Sequence, residues 1–276
     1  MKKVQSADGT TIAFDQLGKG LTLILVGGAL EQRAMDSETA QLAPLLAEHF
    51  TVFHYDRRGR GESTDTQPYA AQREIEDIEA LITEAGGSAF VFGISSGAAL
   101  AMEAAIKLGD KVKKLAMYEA PYNSDEAARL AWKAYRKQLA EVLAQGRRGN
   151  ALALFMLLVG MPADHLDRVR QHPMWPMWEA VAPTLAYDAA VMGEDASVPT
   201  CASCSVGKAR TRSLCDKAAQ SCVLASEGVS ANQRLQLIFH HRLVEILVYQ
   251  ILKKIRWQRG EEVFSDVTAL DVPTCL

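Results

Sequence analysis

The chain contains no cysteine before Cys201, which excludes a disulfide-stapled scaffold over most of its length. No uninterrupted apolar run approaches the ~18 residues that a bilayer-spanning helix requires. The N-terminal stretch Met1-Lys2-Lys3-Val4-Gln5-Ser6-Ala7-Asp8-Gly9 has two lysines but no apolar h-region, so no secretory signal is expected and a cytoplasmic location is. Charge of one sign is also lacking: 30 Lys and Arg stand against 33 Asp and Glu, for a net charge of -3. Such a chain has no overall basic field to hold nucleic acid or an anionic membrane, and neither partner is expected.

What is present bounds the fold. At 276 residues and 49% hydrophobic, the chain can bury one large core, alone or with an inserted cap. Its composition changes near residue 200. All five cysteines (Cys201, Cys204, Cys215, Cys222 and Cys275) lie beyond that point, and Lys plus Arg less Asp plus Glu shifts from -6 over residues 1–200 to +3 over 201–276. Cys201-x2-Cys204 invites a zinc reading, but Cys215 and Cys222 lack knuckle spacing and no histidine flanks them, so no metal is expected and the thiols are read as free.

Most of the chain alternates strand and helix patterns. Residues 3–15 read as a hairpin turning at Asp8-Gly9. Leu21 to Val26 is a continuous apolar run of the kind buried on both faces of a sheet, and it ends in Gly27-Gly28-Ala29-Leu30. A helix capped by Ser37 is expected to about His49, with Leu42, Leu45 and Leu46 on its apolar face. Phe50 to Tyr55 is the next strand, followed by Asp56-Arg57-Arg58-Gly59-Arg60-Gly61-Glu62-Ser63. Ile75, Ile78, Leu81 and Ile82 place a second amphipathic helix over about 72–84. Residues 98–108 follow as a helix and 112–119 as a strand. Alternation over 21–121 implies a parallel sheet with helices on both faces, whose ligands bind at the carboxyl ends of the strands.

Gly27-Gly28-Ala29, Asp56, Ser95 and Glu119 all fall at such ends. Gly93-Ile94-Ser95-Ser96-Gly97 is the centre of the pattern. It has the layout of a nucleophile elbow, G-x-S-x-G, in which a strand turns sharply into a helix and exposes one serine. Large side chains two positions before or after that serine would collide with the adjoining backbone, and glycine removes both collisions. The helix N-terminus behind Ser95 favours developing negative charge. The glycines after Val26 are suited to presenting backbone N–H groups to the same anion.

These motifs, in this order, resemble those of the α/β-hydrolase fold superfamily, and the likeness covers residues 1–121. Val26-Gly27-Gly28-Ala29 resembles the oxyanion turn, with Gly27 where a histidine is often found. Asp56-Arg57-Arg58-Gly59-Arg60-Gly61-Glu62-Ser63 resembles the D-x-R-G-x-G-x-S loop, which is structural in the family, with Asp56 expected to pair with a neighbouring arginine. The resemblance implies Ser95 as nucleophile, an oxyanion hole from the Ala29 and Ser96 amides, and a small-molecule acyl substrate with no cofactor. Residues 122–196 then read as a helical cap, with a helix capped by Ser124 and further segments near 151–159, 163–171 and 178–192. Met156, Met161, Met174, Trp175, Met177 and Trp178 are candidates for an apolar substrate pocket.

Beyond residue 196 the pattern departs from the family. Two further strands should supply an acid and then a histidine, because a serine hydroxyl is a poor nucleophile until a base takes its proton. Residues 197–276 lack that sequence, and their one clear helix pattern runs from Leu235 to Trp257, with His240 and His241 inside it. A functional reading makes one of these two a replacement catalytic base, while the plainer reading is a helix histidine pointing to solvent or into packing, which the absence of a family match favours; His49, His54, His165 and His172 are weaker candidates still. Glu119 is a position from which some members of the family supply the triad acid. The expected fold is α/β: a doubly wound, mostly parallel sheet with a helical cap and an atypical, largely helical C-terminal segment. Two functions stay open: a serine hydrolase of the esterase type, or a catalytically impaired relative that at most binds a small apolar ligand.

Overall fold

A computed structural model describes residues 1–35, 37–123 and 125–199. Its centre is a six-stranded sheet formed by β1 (Lys2–Gln5), β2 (Thr11–Leu17), β3 (Leu21–Val26), β4 (Phe50–Tyr55), β5 (Ala89–Ile94) and β6 (Val112–Tyr118), in the order β1-β2-β4-β3-β5-β6. The first two strands form the expected hairpin, and β2 pairs antiparallel with β4. From β4 onward every pairing is parallel. The parallel strands are apolar because both faces are covered: Ile24, Leu25, Val26, Val52 and Val91 are almost wholly buried.

Helices connect the successive parallel strands. α1 (Glu38–Ala47) packs on β4, while α2 (Ala71–Glu84) and α3 (Ser96–Leu108) pack on each other, with α3 also against β5 and β6. Ser37 caps α1 as expected, its Oγ accepting from Ala40 N. Ile75, Ile78, Leu81 and Ile82 of α2 all enter the core. The chain leaves β3 in one direction to reach β4, then crosses back to β5 on the other side of β3. The carboxyl ends of β3 and β5 therefore flank a topological switch point, the usual ligand crevice of an open sheet.

Helices occupy the chain after β6: α4 (Glu126–Ala144), α5 (Arg148–Leu158), α6 (Leu166–Arg170), α7 (Trp175–Val181) and α8 (Leu185–Met192). The cap of α4 is Asp125, not the expected Ser124: the Asp125 carboxylate accepts from Ala128 N at 2.8 Å. The single helix expected over 178–192 is divided at Ala182-Pro183-Thr184, where a 3-10 turn separates α7 from α8 because Pro183 has no N–H to continue the ladder. α8 packs on α3 and α4, so this helical segment is seated directly behind the elbow helix. No helix among the described residues is long and apolar enough to cross a membrane.

Candidate active site

Ser95 lies between β5 and α3 with φ 53° and ψ -126°. A non-glycine residue in this region carries strain of about 1–3 kcal/mol that the surroundings must hold in place. They do so through the backbone. Ser95 N donates to Tyr118 O at 2.9 Å, and Ser95 O accepts from Ala98 N at 2.8 Å in the first turn of α3. The two glycines of the elbow explain themselves sterically. A Cβ on Gly93 would stand 2.6 Å from Ala98 Cα, and one on Gly97 would run into the carbonyl oxygens of Val26 and Gly27. The elbow is thus packed against both its own helix and the turn after β3.

Sheet register brings that turn to the serine. Val26 pairs with Gly93, so the residues that follow each strand continue side by side. A methyl placed on Gly28 would lie 3.2 Å from Ser95 Cβ and 3.9 Å from its Oγ. The turn is held by side chains from elsewhere. Arg57 Nη1 donates to Gly27 O at 3.3 Å, Arg60 Nη1 donates to Gly28 O at 2.5 Å, and Gly28 N donates to Glu31 Oε2 at 3.1 Å.

The two arginines meet at Asp188 of α8. Its Oδ1 accepts from Arg57 Nη1 and from Ser96 Oγ, both at 2.7 Å, and its Oδ2 accepts from Arg60 Nη2 at 2.7 Å. Arg57 also makes a two-pronged bond to Glu74 of α2, at 2.6 and 2.8 Å, and Arg60 Nε donates to Thr184 Oγ1 at 3.0 Å. Every charged member of this network is buried. Burial alone would raise the Asp188 carboxyl, but Arg60, Arg57 and the Ser96 hydroxyl hold it below the ordinary carboxylate value. Burial would likewise lower Arg57, and Glu74 with Asp188 keeps it well above its ordinary value. Both groups therefore remain ionised.

The arginine loop is structural, as expected, but Asp56 pairs outside it. Its Oδ1 accepts from Arg33 N at 2.7 Å and its Oδ2 from Arg33 Nε at 3.1 Å and Glu62 N at 2.9 Å. Arg58 goes to Asp77 and Asp8. Asp188, Glu74 and Glu31 were not singled out from the sequence. Asp188 had a legible signal: it is the one charge in Leu-Ala-Tyr-Asp-Ala-Ala-Val-Met, an otherwise almost wholly apolar helix, and such a carboxylate needs buried partners.

Other expected site residues are distributed as follows. Ser96 is buried at the start of α3, and Ala29 follows Gly28 on the turn. Glu119 is the first residue past β6, with φ 49°, and is exposed. Among the described residues no histidine bonds to Ser95. His54 is buried, with its Nε2 3.1 Å from Thr39 Oγ1, and desolvation lowers it to about 4. His172 stacks on Trp178 with its Nδ1 accepting from Met174 N. His240 and His241, the five cysteines and the rest of 200–276 lie outside the described residues. Of the six apolar residues expected to line a pocket, Trp175 is instead core, its Nε1 donating to Glu179 Oε2 at 3.1 Å, whereas Met177 is 41% exposed. Among the described residues no cluster of His, Cys, Asp or Glu could hold a metal ion.

The model of the alpha/beta hydrolase family matches residues 23–219, most of the chain. The chain belongs to the alpha/beta hydrolase family. The solved structure of an alpha/beta hydrolase from Sphaerobacter thermophilus DSM 20745 is 41% identical, with a TM-score of 0.68, and the match covers 90% of this chain and 99% of that one. Both of these matches continue past the last described residue. A hydrolase from Pseudomonas aeruginosa PA01 is 22% identical with a TM-score of 0.55, covering 73% of this chain and 74% of that one. An alpha/beta hydrolase enzyme from a Medee basin deep-sea metagenome library is 15% identical with a TM-score of 0.51, covering 71% and 73%. The last two share the fold. In this alpha/beta hydrolase, the elbow and the glycine turn occupy the strand ends at which the fold places its chemistry.

Proposed function

We propose that this alpha/beta hydrolase is a serine hydrolase acting on a small ester or other acyl substrate, with Ser95 as nucleophile. The observation that carries the reading is the strained Ser95 backbone, maintained by Gly93 and Gly97 and facing the Gly28 turn. Strain at one non-glycine residue, fixed by close packing on both sides, is characteristic of a functional position. Attack on an acyl carbonyl converts its oxygen to an anion, which needs preorganised donors.

The Ala29 and Ser96 N–H groups are the donors this reading assigns. The Ser96 amide is at the N-terminus of α3, where the first N–H groups have no partner within the helix. In a planar trans peptide the C=O and N–H point to opposite sides. Because Gly28 O is turned to Arg60, the N–H of the same peptide, that of Ala29, is turned away from it. The acid assigned to Glu119 rests on its strand-end placement alone, since the residue is exposed and an acid that orients a base is ordinarily buried. Helices α4 to α8 take the role of a cap in this reading.

The second reading is a relative that binds a small apolar ligand without turnover; among the described residues no histidine reaches Ser95, and His240 and His241 lie outside them. A fluorophosphonate probe separates the two. Labelling of the wild type and not of Ser95→Ala supports the hydrolase, and a folded wild type that takes no label supports the binding protein.

A further inference from the structure

We infer that Glu31 is a positioning residue that sets the orientation of the oxyanion donor on the Gly27-Gly28-Ala29 turn. The inference rests on the reading of Ser95 as nucleophile and deepens it. The peptide joining Gly27 to Gly28 is held at both edges: its C=O accepts from Arg57 Nη1 at 3.3 Å and its N–H donates to Glu31 Oε2 at 3.1 Å. A planar unit fixed at two opposite edges has little rotation left. Its orientation determines where the next peptide begins, and that peptide carries the Ala29 N–H. Arg60 then holds the Gly28 carbonyl with Nη1 while its Nη2 donates to Asp188.

Glu31 is built into this place. A Cβ on Gly27 would stand 2.6 Å from Glu31 Oε2, so the carboxyl lies directly on the turn. The same oxygen accepts from Thr39 Oγ1 of α1 at 3.0 Å, and that hydroxyl is 3.1 Å from His54 Nε2 and 3.2 Å from Ser37 Oγ. Two donors from different elements thus converge on one oxygen, with Arg57 and Arg60 as the facing charges. Burial raises the Glu31 carboxyl, against the lowering effects of Thr39, Gly28 and the two arginines. Two adjacent glycines give the turn wide conformational freedom. Without the carboxyl, Arg57 and Arg60 still hold the carbonyls, but the Gly28 N–H loses its only assigned acceptor in the described residues and the peptide plane is free to tilt.

A carboxyl that only positions is replaceable by an amide of the same reach, because the Gln oxygen accepts the same bonds. A carboxyl that transfers protons is not. The experiment measures the rate of Ser95 phosphonylation by a fluorophosphonate in wild type, Glu31→Gln, Glu31→Ala and Thr39→Val, with a melting curve on each sample. The phosphoryl oxygen of the probe takes the oxyanion position, so the rate reads the donor's placement. Expected are a rate near wild type for Glu31→Gln, a fall of about 100-fold for Glu31→Ala, the scale of a misplacement of about 1 Å, and a smaller fall for Thr39→Val in a folded protein. Wild-type rates in folded Glu31→Ala, or in Thr39→Val should Glu31→Ala not fold, overturn the inference while leaving Ser95 as nucleophile. A fall in Glu31→Gln as deep as in Glu31→Ala also overturns it, by making the carboxyl a chemical participant. A wild type that takes no label overturns the nucleophile reading and this inference with it.

Discussion

Replacing Asp188 with alanine should be among the most damaging single changes available in the described part of the chain. Its carboxylate accepts three hydrogen bonds of 2.7 Å, from Arg57, Arg60 and Ser96. The losses are unequal. Arg57 keeps its two bonds to Glu74, whereas Arg60, 1% exposed, keeps only neutral hydrogen-bond partners, Thr184 Oγ1 and Gly28 O, with the Glu31 carboxyl facing it. Removing one partner of a buried pair leaves an uncompensated charge and costs about 3–5 kcal/mol, a large share of the 5–15 kcal/mol that holds a typical domain together. Urea denaturation followed by circular dichroism should therefore show a fall of that size in Asp188→Ala. The double variant Arg60→Met/Asp188→Leu should recover part of the loss, since it removes both charges and refills the volume. Asp188→Ala within about 1 kcal/mol of wild type would refute the reasoning, because the carboxylate would then not be compensating a buried charge.

Two further predictions concern different parts of the fold. His54 is lowered from 6.5 to about 4 by desolvation, so the folded state holds it neutral while the unfolded chain protonates it at higher pH. The stability this contributes is complete above pH 6.5 and is lost as pH falls toward 4, to an extent of about 3 kcal/mol. His54→Gln should flatten that part of the stability profile, and an unchanged slope between those limits would remove His54 as its source. Gly97→Ala should abolish fluorophosphonate labelling and destabilise the protein by about 3 kcal/mol or more, beyond ordinary overpacking, because its Cβ would meet two backbone carbonyls. Normal labelling of a folded Gly97→Ala protein would show that the elbow tolerates a wider approach than its packing implies.

Much of the fold was legible because the strands from β3 to β6 are apolar runs separated by amphipathic helices, and each periodicity dictates its element. Gly93, Ser95 and Gly97 were legible for a steric reason, since few residue types fit a sharp strand-to-helix turn. The cap of α4 is Asp125 and not the expected Ser124 because both side chains offer an oxygen that accepts an N-cap bond equally well, and the choice between them depends on where the helix begins. The division at Ala182 was missed because Pro183 sits within an otherwise continuous helical pattern. Tertiary pairs were the least visible. Nothing local to Asp56 distinguishes Arg33 from the arginines beside it in sequence, and Glu31 meets the Gly28 amide only once the turn has folded. Asp188 lies 92 residues from Ser96, the hydroxyl it accepts from. Its isolation among apolar neighbours signals a need for partners, but the sequence does not say which.

In the proposed function Ser95 is a nucleophile held ready by the elbow and the glycine turn. The most direct measurement of that role is intact-protein mass spectrometry of folded wild type and Ser95→Ala after incubation with a fluorophosphonate. The account predicts one phosphonyl adduct on the wild type, located to the peptide containing Ser95, and none on Ser95→Ala. An unlabelled folded wild type, or an equal adduct on both proteins, would contradict it.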